Sequence, residues 1–176
     1  MKRILVAALL LVMLAGLAFG QEAKRPTAAV SFELFGSVLA LMGANAEFFL
    51  GPVGLSGEVR FLFFSYGGNF LGFVEPGAAV RFYFSELESS MFLMGGVSYL
   101  TAFGLGSGGA GVTNVGLLKP KAGVGYNVLF GKGNKTRFAI ELGAVYMVPV
   151  VAGDAIPSSD LFPILPHLLI MFGRVF

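Results

Sequence analysis

Hydrophobic and polar residues alternate along several segments of the chain. In the segment SGEVRFLFF, polar Ser56, Glu58 and Arg60 alternate with apolar side chains. The same alternation recurs in three later segments, 77–85, 118–128 and 137–146. Successive side chains of a β-strand point to opposite faces of the sheet. Each segment therefore has one aromatic or aliphatic face and one polar or small face, which predicts strands that separate two environments.

Counting such segments predicts eight strands and no helix. They cover residues 28–39, 43–51, 54–65, 71–85, 90–103, 115–130, 136–150 and 164–176. Tight turns and longer connections alternate between them, as in an up-and-down barrel. The predicted tight turns are GPVG (51–54), SELESS (85–90) and GKGNK (131–135), and the longer connections are 65–72, 103–114 and 151–163. The first connection on the longer side, near Leu41 to Gly43, is expected to be short.

The first twenty residues have the composition of a secretory signal peptide. Lys2 and Arg3 precede an apolar run from Ile4 to Leu14, and small residues follow at Ala18 and Gly20. We therefore expect residues 1–20 to be a signal peptide cleaved before Gln21, and residues 21–176 to be the barrel domain. An uncleaved anchor helix is the alternative, although the apolar run is short for a bilayer span.

Composition favours a membrane protein. Hydrophobic residues make up 56% of the chain and charged residues 12%, yet no apolar stretch of about 20 residues follows the signal peptide. A closed β-barrel is then the structure that satisfies every backbone group in lipid. Without the signal peptide, ten basic residues balance ten acidic ones, so we expect no nucleic-acid partner. The absence of cysteine excludes disulfides and thiolate metal sites.

The segment HLLIMFGRVF ends on Phe176 after an almost wholly apolar run. With the signal peptide and the eight alternating strands, it resembles the small OmpA/OmpX/OmpW-like barrels of bacterial outer membranes. The resemblance implies an outer-membrane location, both termini in the periplasm, and passage past periplasmic chaperones. It also implies that the barrel-assembly machinery recognises the last strand, with Phe172 and Phe176 as the assembly signal. Arg174 departs from the usual pattern, which has an apolar residue there.

The polar faces of the predicted strands carry ten charges, five of each sign. An eight-stranded barrel has room inside only for side chains, so a balanced set is expected to pair and plug it. Arg60 and Arg81, on neighbouring strands, are expected to share one layer with Glu58 and Glu75. A polar track for an ion or small solute is the alternative interpretation, and catalytic carboxylates are a remote one. The ten residues, called here the lumen network, are Glu33, Glu47, Glu58, Arg60, Glu75, Arg81, Lys119, Lys121, Arg137 and Glu141.

Two further motifs carry little chemistry. GSGGAG (106–111) matches a dinucleotide-binding pattern but precedes a predicted strand rather than a helix, so we interpret it as an outer loop. His167 is the one histidine and cannot build a metal site alone. A lipid-modifying enzyme that uses it remains an alternative, whereas a packed or lumen-facing histidine is the simpler interpretation. We expect no catalytic, cofactor-binding or metal-binding residues and no cofactor.

Four prolines fall inside predicted strands, all expected near the outer end: Pro76, Pro120, Pro149 and Pro166. Proline removes a ladder hydrogen bond, so these residues either end the ladder or open a gap through which an apolar solute leaves sideways. Apolar residues that alternation places inward are compatible with an apolar upper lumen or with plain packing; they are Phe35, Phe49, Leu62, Leu169 and Met171.

These observations together predict a monomeric eight-stranded outer-membrane β-barrel, structural or surface-exposed, with a plugged lumen and no enzymatic activity. Outer-membrane lipid is its expected surrounding. A narrow channel for a small, possibly apolar solute with lateral exit is the second hypothesis, and a lipid-modifying enzyme is the third. A soluble barrel with its apolar face inward and its charges outward is the alternative fold.

Overall fold

A computed structural model describes residues 26–36, 41–66, 69–105, 115–151 and 164–176. The predicted signal peptide and the GSGGAG motif lie outside them. The described residues form nine strands and no helix. The strands are β1 (Ala28–Gly36), β2 (Leu41–Leu50), β3 (Val53–Tyr66), β4 (Asn69–Tyr83), β5 (Ser89–Leu105), β6 (Val115–Phe130), β7 (Thr136–Val145), β8 (Val148–Val151) and β9 (Leu165–Val175).

The strands form one closed antiparallel barrel. Each strand from β1 to β7 pairs with its chain neighbour, and β9 joins β7 to β1 and so closes the sheet. Strand β8 continues the line of β7 along β6, so β7 and β8 are two parts of one barrel strand. The barrel therefore has eight strands in up-and-down order, as predicted. No helix in the described part of the chain is long and apolar enough to cross a membrane.

The strands are strongly staggered around the barrel. The N–H of Val175 in β9 donates to the carbonyl of Lys135, just before β7. Starting again from Val175 and going around the barrel in the other direction, from each residue to the one that faces it, the path reaches β7 at Val145. Val145 lies ten residues after Lys135 in the sequence. That circuit runs through Val175, Ala29, Glu47, Ser56, Ala79, Gly96, Lys121 and Val145. With eight strands, this stagger corresponds to a tilt of about 40° from the barrel axis.

The barrel has two different ends. At the turn end, Gly51–Pro52, residues 84–88 and residues 131–135 connect the strands, and β1 begins beside the end of β9. At this end the N–H of Phe176 donates to Ala28 and the N–H of Thr27 donates to Phe176. The connections at the other end, the loop end, are residues 37–40, 67–68, 106–114 and 152–163, which lie outside the described residues.

Two predicted connections at the loop end are wrong. Leu41 and Gly43 belong to β2 and pair with β1, because the pattern of alternate burial already begins at Leu41. The predicted connection 65–72 is mostly strand, since Ser65 pairs with Phe70 and only residues 67–68 separate β3 from β4. Glycines at 67, 68 and 72 indicated a longer connection, whereas Gly72 pairs with Phe63 inside the ladder.

The prolines have separate effects on the wall. Pro76 lies in the middle of β4, so the prediction that it ends a ladder near the outer rim is wrong. It faces Val59 of β3, and on the β5 side the pairs stop at Val74 and resume at Gly77, because proline has no N–H to donate there. Pro120 also lies inside its strand, and Tyr146, at the break between β7 and β8, donates its N–H to the Pro120 carbonyl.

Pro149 and Pro166 lie closer to strand ends. Pro149 belongs to the short β8, where it faces Leu117 of β6. Pro166 is the second residue of β9 and faces Ala144. Of the four prolines, only Pro149 and Pro166 lie close to the loop end of their strands, where all four were predicted.

The two faces of the barrel wall differ in composition. Side chains of the lumen network point inward and are buried, while the outward positions of every strand carry apolar residues. Arg174 is the one outward-facing charged side chain in the described strands. The alternative fold with charges outside and apolar residues inside is therefore wrong. The period of two residues in the sequence and the closure of the sheet together place the charges within the barrel.

Candidate functional site: the barrel lumen

All ten side chains of the lumen network lie inside the barrel, each with 5% or less of its surface exposed. They come from six of the nine strands and meet inside the barrel. Their contacts divide them into two groups at different heights. Each group has equal numbers of positive and negative formal charges, so neither leaves a net charge buried in the wall.

The first group, the loop-end cluster, surrounds Arg60. Its guanidinium lies 2.7 Å from Glu33, 2.8 Å from Glu58 and 2.9 Å from Glu75. The ammonium of Lys119 lies 2.6 Å from the second oxygen of Glu75. Lys121 pairs with the second oxygen of Glu58. Three carboxylates and three cations thus form one neutral cluster.

The second group, the turn-end cluster, contains Arg81, Arg137, Glu47 and Glu141. Arg81 reaches Glu141 at 3.1 Å and Glu47 at 3.3 Å, and Arg137 reaches Glu47 at 2.7 Å. These partners come from opposite sides of the barrel. The cluster therefore crosses the lumen from wall to wall.

Neutral polar side chains complete the turn-end cluster. The hydroxyl of Tyr83 donates to Glu47 at 2.8 Å and accepts from Arg137 at 2.8 Å. Arg137 also donates to Asn127 at 2.7 Å, and Arg81 donates to Ser56 at 2.9 Å. Sequence reasoning did not include these residues in the network. Alternation does place them on the polar face, but it does not show which of them touch a charge.

His167 also lies in the lumen, 2% exposed, with its Nε2 atom 2.7 Å from Glu141. It is thus a lumen-facing histidine, the simpler of the two interpretations made from the sequence. Ser98 donates to Glu75 at 2.7 Å in the loop-end cluster. Among the described residues there is no group of three or more His, Cys, Asp or Glu that could hold a metal ion.

The expected layer of Arg60, Arg81, Glu58 and Glu75 is only partly present. Arg60 contacts Glu58 and Glu75 as predicted, but Arg81 lies elsewhere. Arg60 faces Glu75 across the β3–β4 ladder, whereas Arg81 lies six residues further along β4 and faces Gly54. Six residues of strand span about 20 Å, so the two arginines belong to different clusters. Alternation assigns both to the same face but does not give their heights.

Glycines make room for the buried charges. A Cβ atom at Gly54 would overlap the carboxylate of Glu47, and a Cβ at Gly77 would lie 2.7 Å from Glu58. Close-packed interiors do not tolerate such contacts without displacement. These glycines are therefore required by the lumen network rather than by the backbone conformation, which is ordinary strand.

Apolar side chains close the lumen between the turn-end cluster and the turns. Phe49 and Phe92 flank Tyr83, with ring centres 5.9 Å and 5.2 Å from it, and all three are buried. Leu129 and Val175 belong to the same buried group. Phe49 lies beside the Gly51–Pro52 turn and closes the turn end. For this residue the interpretation as plain packing is therefore the correct one, and not the apolar upper lumen.

The other apolar residues that alternation places inward have separate positions. Leu169 and Met171 are fully buried inside, and the sulfur of Met171 lies 3.8 Å from Arg81 in the turn-end cluster. Leu62 is half-buried near the loop end. The side chain of Phe35 lies outside the described part of the structure.

Phe172 and Phe176, the predicted assembly signal, point away from the lumen. Phe172 is 50% exposed on the outer wall, and Phe176 is 65% exposed at the turn end. The backbone of Phe176 nevertheless belongs to the barrel, because its N–H donates to Ala28 of β1 and its carbonyl accepts from the N–H of Thr27. No protein-family model, curated protein or solved structure matches this chain.

Proposed function

We propose that this chain is an integral β-barrel of a bacterial outer membrane, structural or surface-exposed, with a lumen plugged by paired charges. The single observation that carries the proposal is that the polar and apolar faces of the barrel wall are reversed relative to those of a soluble barrel. Charged side chains are buried inside, and large apolar ones are exposed outside, among them Phe32, Phe48 and Leu142 at 74%, 64% and 54%. In water such a wall would be a large apolar surface, whereas in a bilayer it matches the surrounding lipid.

The dimensions of the strands support the same conclusion. The strands that span the barrel have between 9 and 17 residues. A tilted strand needs about 9–11 residues to cross the hydrocarbon core. Closure of the sheet also leaves no unpaired edge along most of the wall, which is the condition for a β-structure in lipid.

The arrangement of the lumen charges supports a plug rather than a pore. The two neutral clusters lie one above the other, and the apolar side chains around Phe49 and Phe92 close the turn end. A buried charge is tolerated when it is paired and hydrogen-bonded, and most of these carboxylates have two or more partners. An ion that crossed the lumen would have to separate several of these pairs.

Conductance tests the plugged lumen directly. Protein refolded into a planar bilayer is expected to give no single-channel steps above the lipid baseline. Insertion is checked on the same sample by the gel shift between unheated and boiled protein, which is typical of folded barrels. Stable ohmic steps from inserted protein would reject the plug and favour the channel hypothesis.

Entry into the membrane involves the last strand in this proposal. Strand β9 closes the barrel between β7 and β1. Its outward residue Phe172 is accessible, and so is Phe176, which follows the strand. This placement is compatible with recognition of the strand by the barrel-assembly machinery, after periplasmic chaperones have carried the chain. The protein then functions as a monomer surrounded by outer-membrane lipid, with its turn end in the periplasm.

The second hypothesis, a channel with lateral exit, places its opening between β1 and β9 at the loop end. The pairs between β1 and β9 end at Leu34 and Ile170, although β9 begins at Leu165. In the described part of the chain, residues 165–169 therefore pair with β7 alone. Residues 37–40, which follow β1, lie outside the described residues. In this hypothesis an apolar solute that entered at the loop end would leave between β1 and β9. Faster passage of an apolar dye across vesicles containing the barrel than across protein-free vesicles would support this hypothesis, and equal rates would reject it.

The third hypothesis, a lipid-modifying enzyme, is not favoured by the position of His167. The imidazole is buried inside the barrel and bound to Glu141. A lipid substrate on the outer wall would not reach it. We therefore propose no catalytic role for this chain.

A further inference from the structure

A groove of about 660 Å³ lies on the outer wall at the turn end, where β1, β9 and β7 meet. It is distinct from the lumen and contains none of the lumen network. Apolar and basic side chains line it together, which is unusual on a wall that is otherwise apolar. The lining residues are Val30, Phe32, Lys132, Lys135, Thr136, Phe172, Gly173, Arg174 and Phe176.

The strand register arranges these side chains in rows. Arg174 lies between Val30 and Thr136 across the three strands. One row further from the turn end, Phe172 lies between Phe32 and Phe138. The basic row is thus nearer the rim and the aromatic row nearer the middle of the wall.

The turn between β6 and β7 adds two more basic residues at the rim. Lys132 and Lys135 are both exposed, and both line the groove. The guanidinium of Arg174 lies 6.0 Å from the ring centre of Phe176. Three positive charges therefore surround the end of the groove nearest the water.

These three charges have no acidic partner among the described residues. Every other lysine or arginine in the described part of the chain belongs to the lumen network and is paired there. Glu88, on the neighbouring turn, accepts a hydrogen bond from Asn134 and forms no ion pair with the groove. The positive charge of the groove is therefore available to an external anion.

We propose that the groove binds one anionic phospholipid of the leaflet that meets the turn end. Its phosphate would contact Lys132, Lys135 and Arg174, and an acyl chain would lie along Phe32 and Phe172. Long basic side chains near an interface extend toward lipid phosphates. A phosphate ion alone would leave the adjoining aromatic row without a partner, whereas a phospholipid fills both parts. This inference rests on the proposed membrane location.

Native mass spectrometry of the refolded protein tests the inference. The barrel is released from detergent in the presence of equal amounts of phosphatidylglycerol and phosphatidylcholine. We expect one phosphatidylglycerol to remain bound in preference. Changing Lys132, Lys135 or Arg174 to Gln is expected to weaken that binding about fivefold for each side chain removed.

Two control variants separate a site from a general effect of charge. Lys135→Arg keeps the positive charge and is expected to keep the preference. Glu88→Gln raises the net charge on the neighbouring turn without touching the groove, and is expected to change nothing. Inorganic phosphate at the same concentration is expected not to displace the lipid. Equal retention of both lipids by the unaltered protein, or an unchanged preference in the Lys and Arg variants, would overturn the proposal.

Insertion is measured separately, so that the two proposals fail independently. The same variants are refolded into phosphatidylcholine vesicles, and resistance to protease is compared with that of the unaltered protein. Protection without any preference for phosphatidylglycerol rejects the groove and leaves the membrane location standing. No protection in any vesicle rejects the membrane location itself.

Discussion

Replacing Arg81 with Met tests whether the lumen is dry and paired. Arg81 is fully buried and is the main cationic partner of Glu141, which it contacts through both Nε and Nη2 at 3.2 and 3.1 Å. Met removes the charge and keeps much of the volume. After the change, Glu47 still has Arg137 and Tyr83, but Glu141 keeps only His167. The variant therefore leaves one carboxylate largely unpaired.

The expected loss follows from that unpaired carboxylate. Removing one partner of a buried ion pair costs about 3–5 kcal/mol of unfolding free energy. Arg81→Met combined with Glu141→Gln removes the unpaired charge, and the new amide can still bond to His167. We expect the double variant to recover more than half of the loss, a coupling of about 2–3 kcal/mol.

The control for this rescue is Glu75→Gln, which lies in the loop-end cluster. Because Glu75 pairs with Arg60 and Lys119 and not with Arg81, combining Arg81→Met with Glu75→Gln is expected to give additive losses. Urea unfolding in lipid vesicles, followed by the gel shift, gives the free energies by linear extrapolation. If Arg81→Met costs about 1 kcal/mol or less and the double variant shows no coupling, the charges are hydrated as exposed pairs are, and the plugged lumen is refuted.

Three further predictions concern the wall and its assembly. Gly54→Ala places a methyl group against Glu47 and is expected to cost about 1–3 kcal/mol, whereas Gly57→Ala meets nothing within 4 Å and is expected to be nearly neutral in the same urea assay. Val59→Arg on the outer wall is expected to cost about 2–4 kcal/mol in vesicles, while Val59→Thr costs much less; a small effect of Arg would mean that this position meets water. Deleting Phe176 is expected to lower the outer-membrane yield of exported protein. Phe176→Ala, which keeps the backbone bonds to β1, is expected to lower it as well; normal yield from the Ala variant would show that only the backbone matters.

The alternation of the sequence determined the strands and their faces. Side chains in a strand alternate between the two faces with a period of two. The position of a residue in this alternation therefore shows which residues of the strand share its face. For this reason the eight strands, the three tight turns and the common face of all ten charges could be predicted without a structure. Errors occurred where glycines suggested a connection, as at 65–72, or where proline suggested a strand end, as at Pro76. There the ladder formed with neighbouring strands overrides the local preference.

Only the tertiary structure decided which side chains meet. Glu47 and Arg137 are 90 residues apart, and Arg81 and Glu141 are 60 apart, yet each pair is in contact. Their heights depend on the stagger accumulated around the closed sheet, and a period of two carries no information about height. The groove has the same origin, because it forms only where β9 closes the barrel beside β1 and brings Arg174 close to the β6–β7 turn.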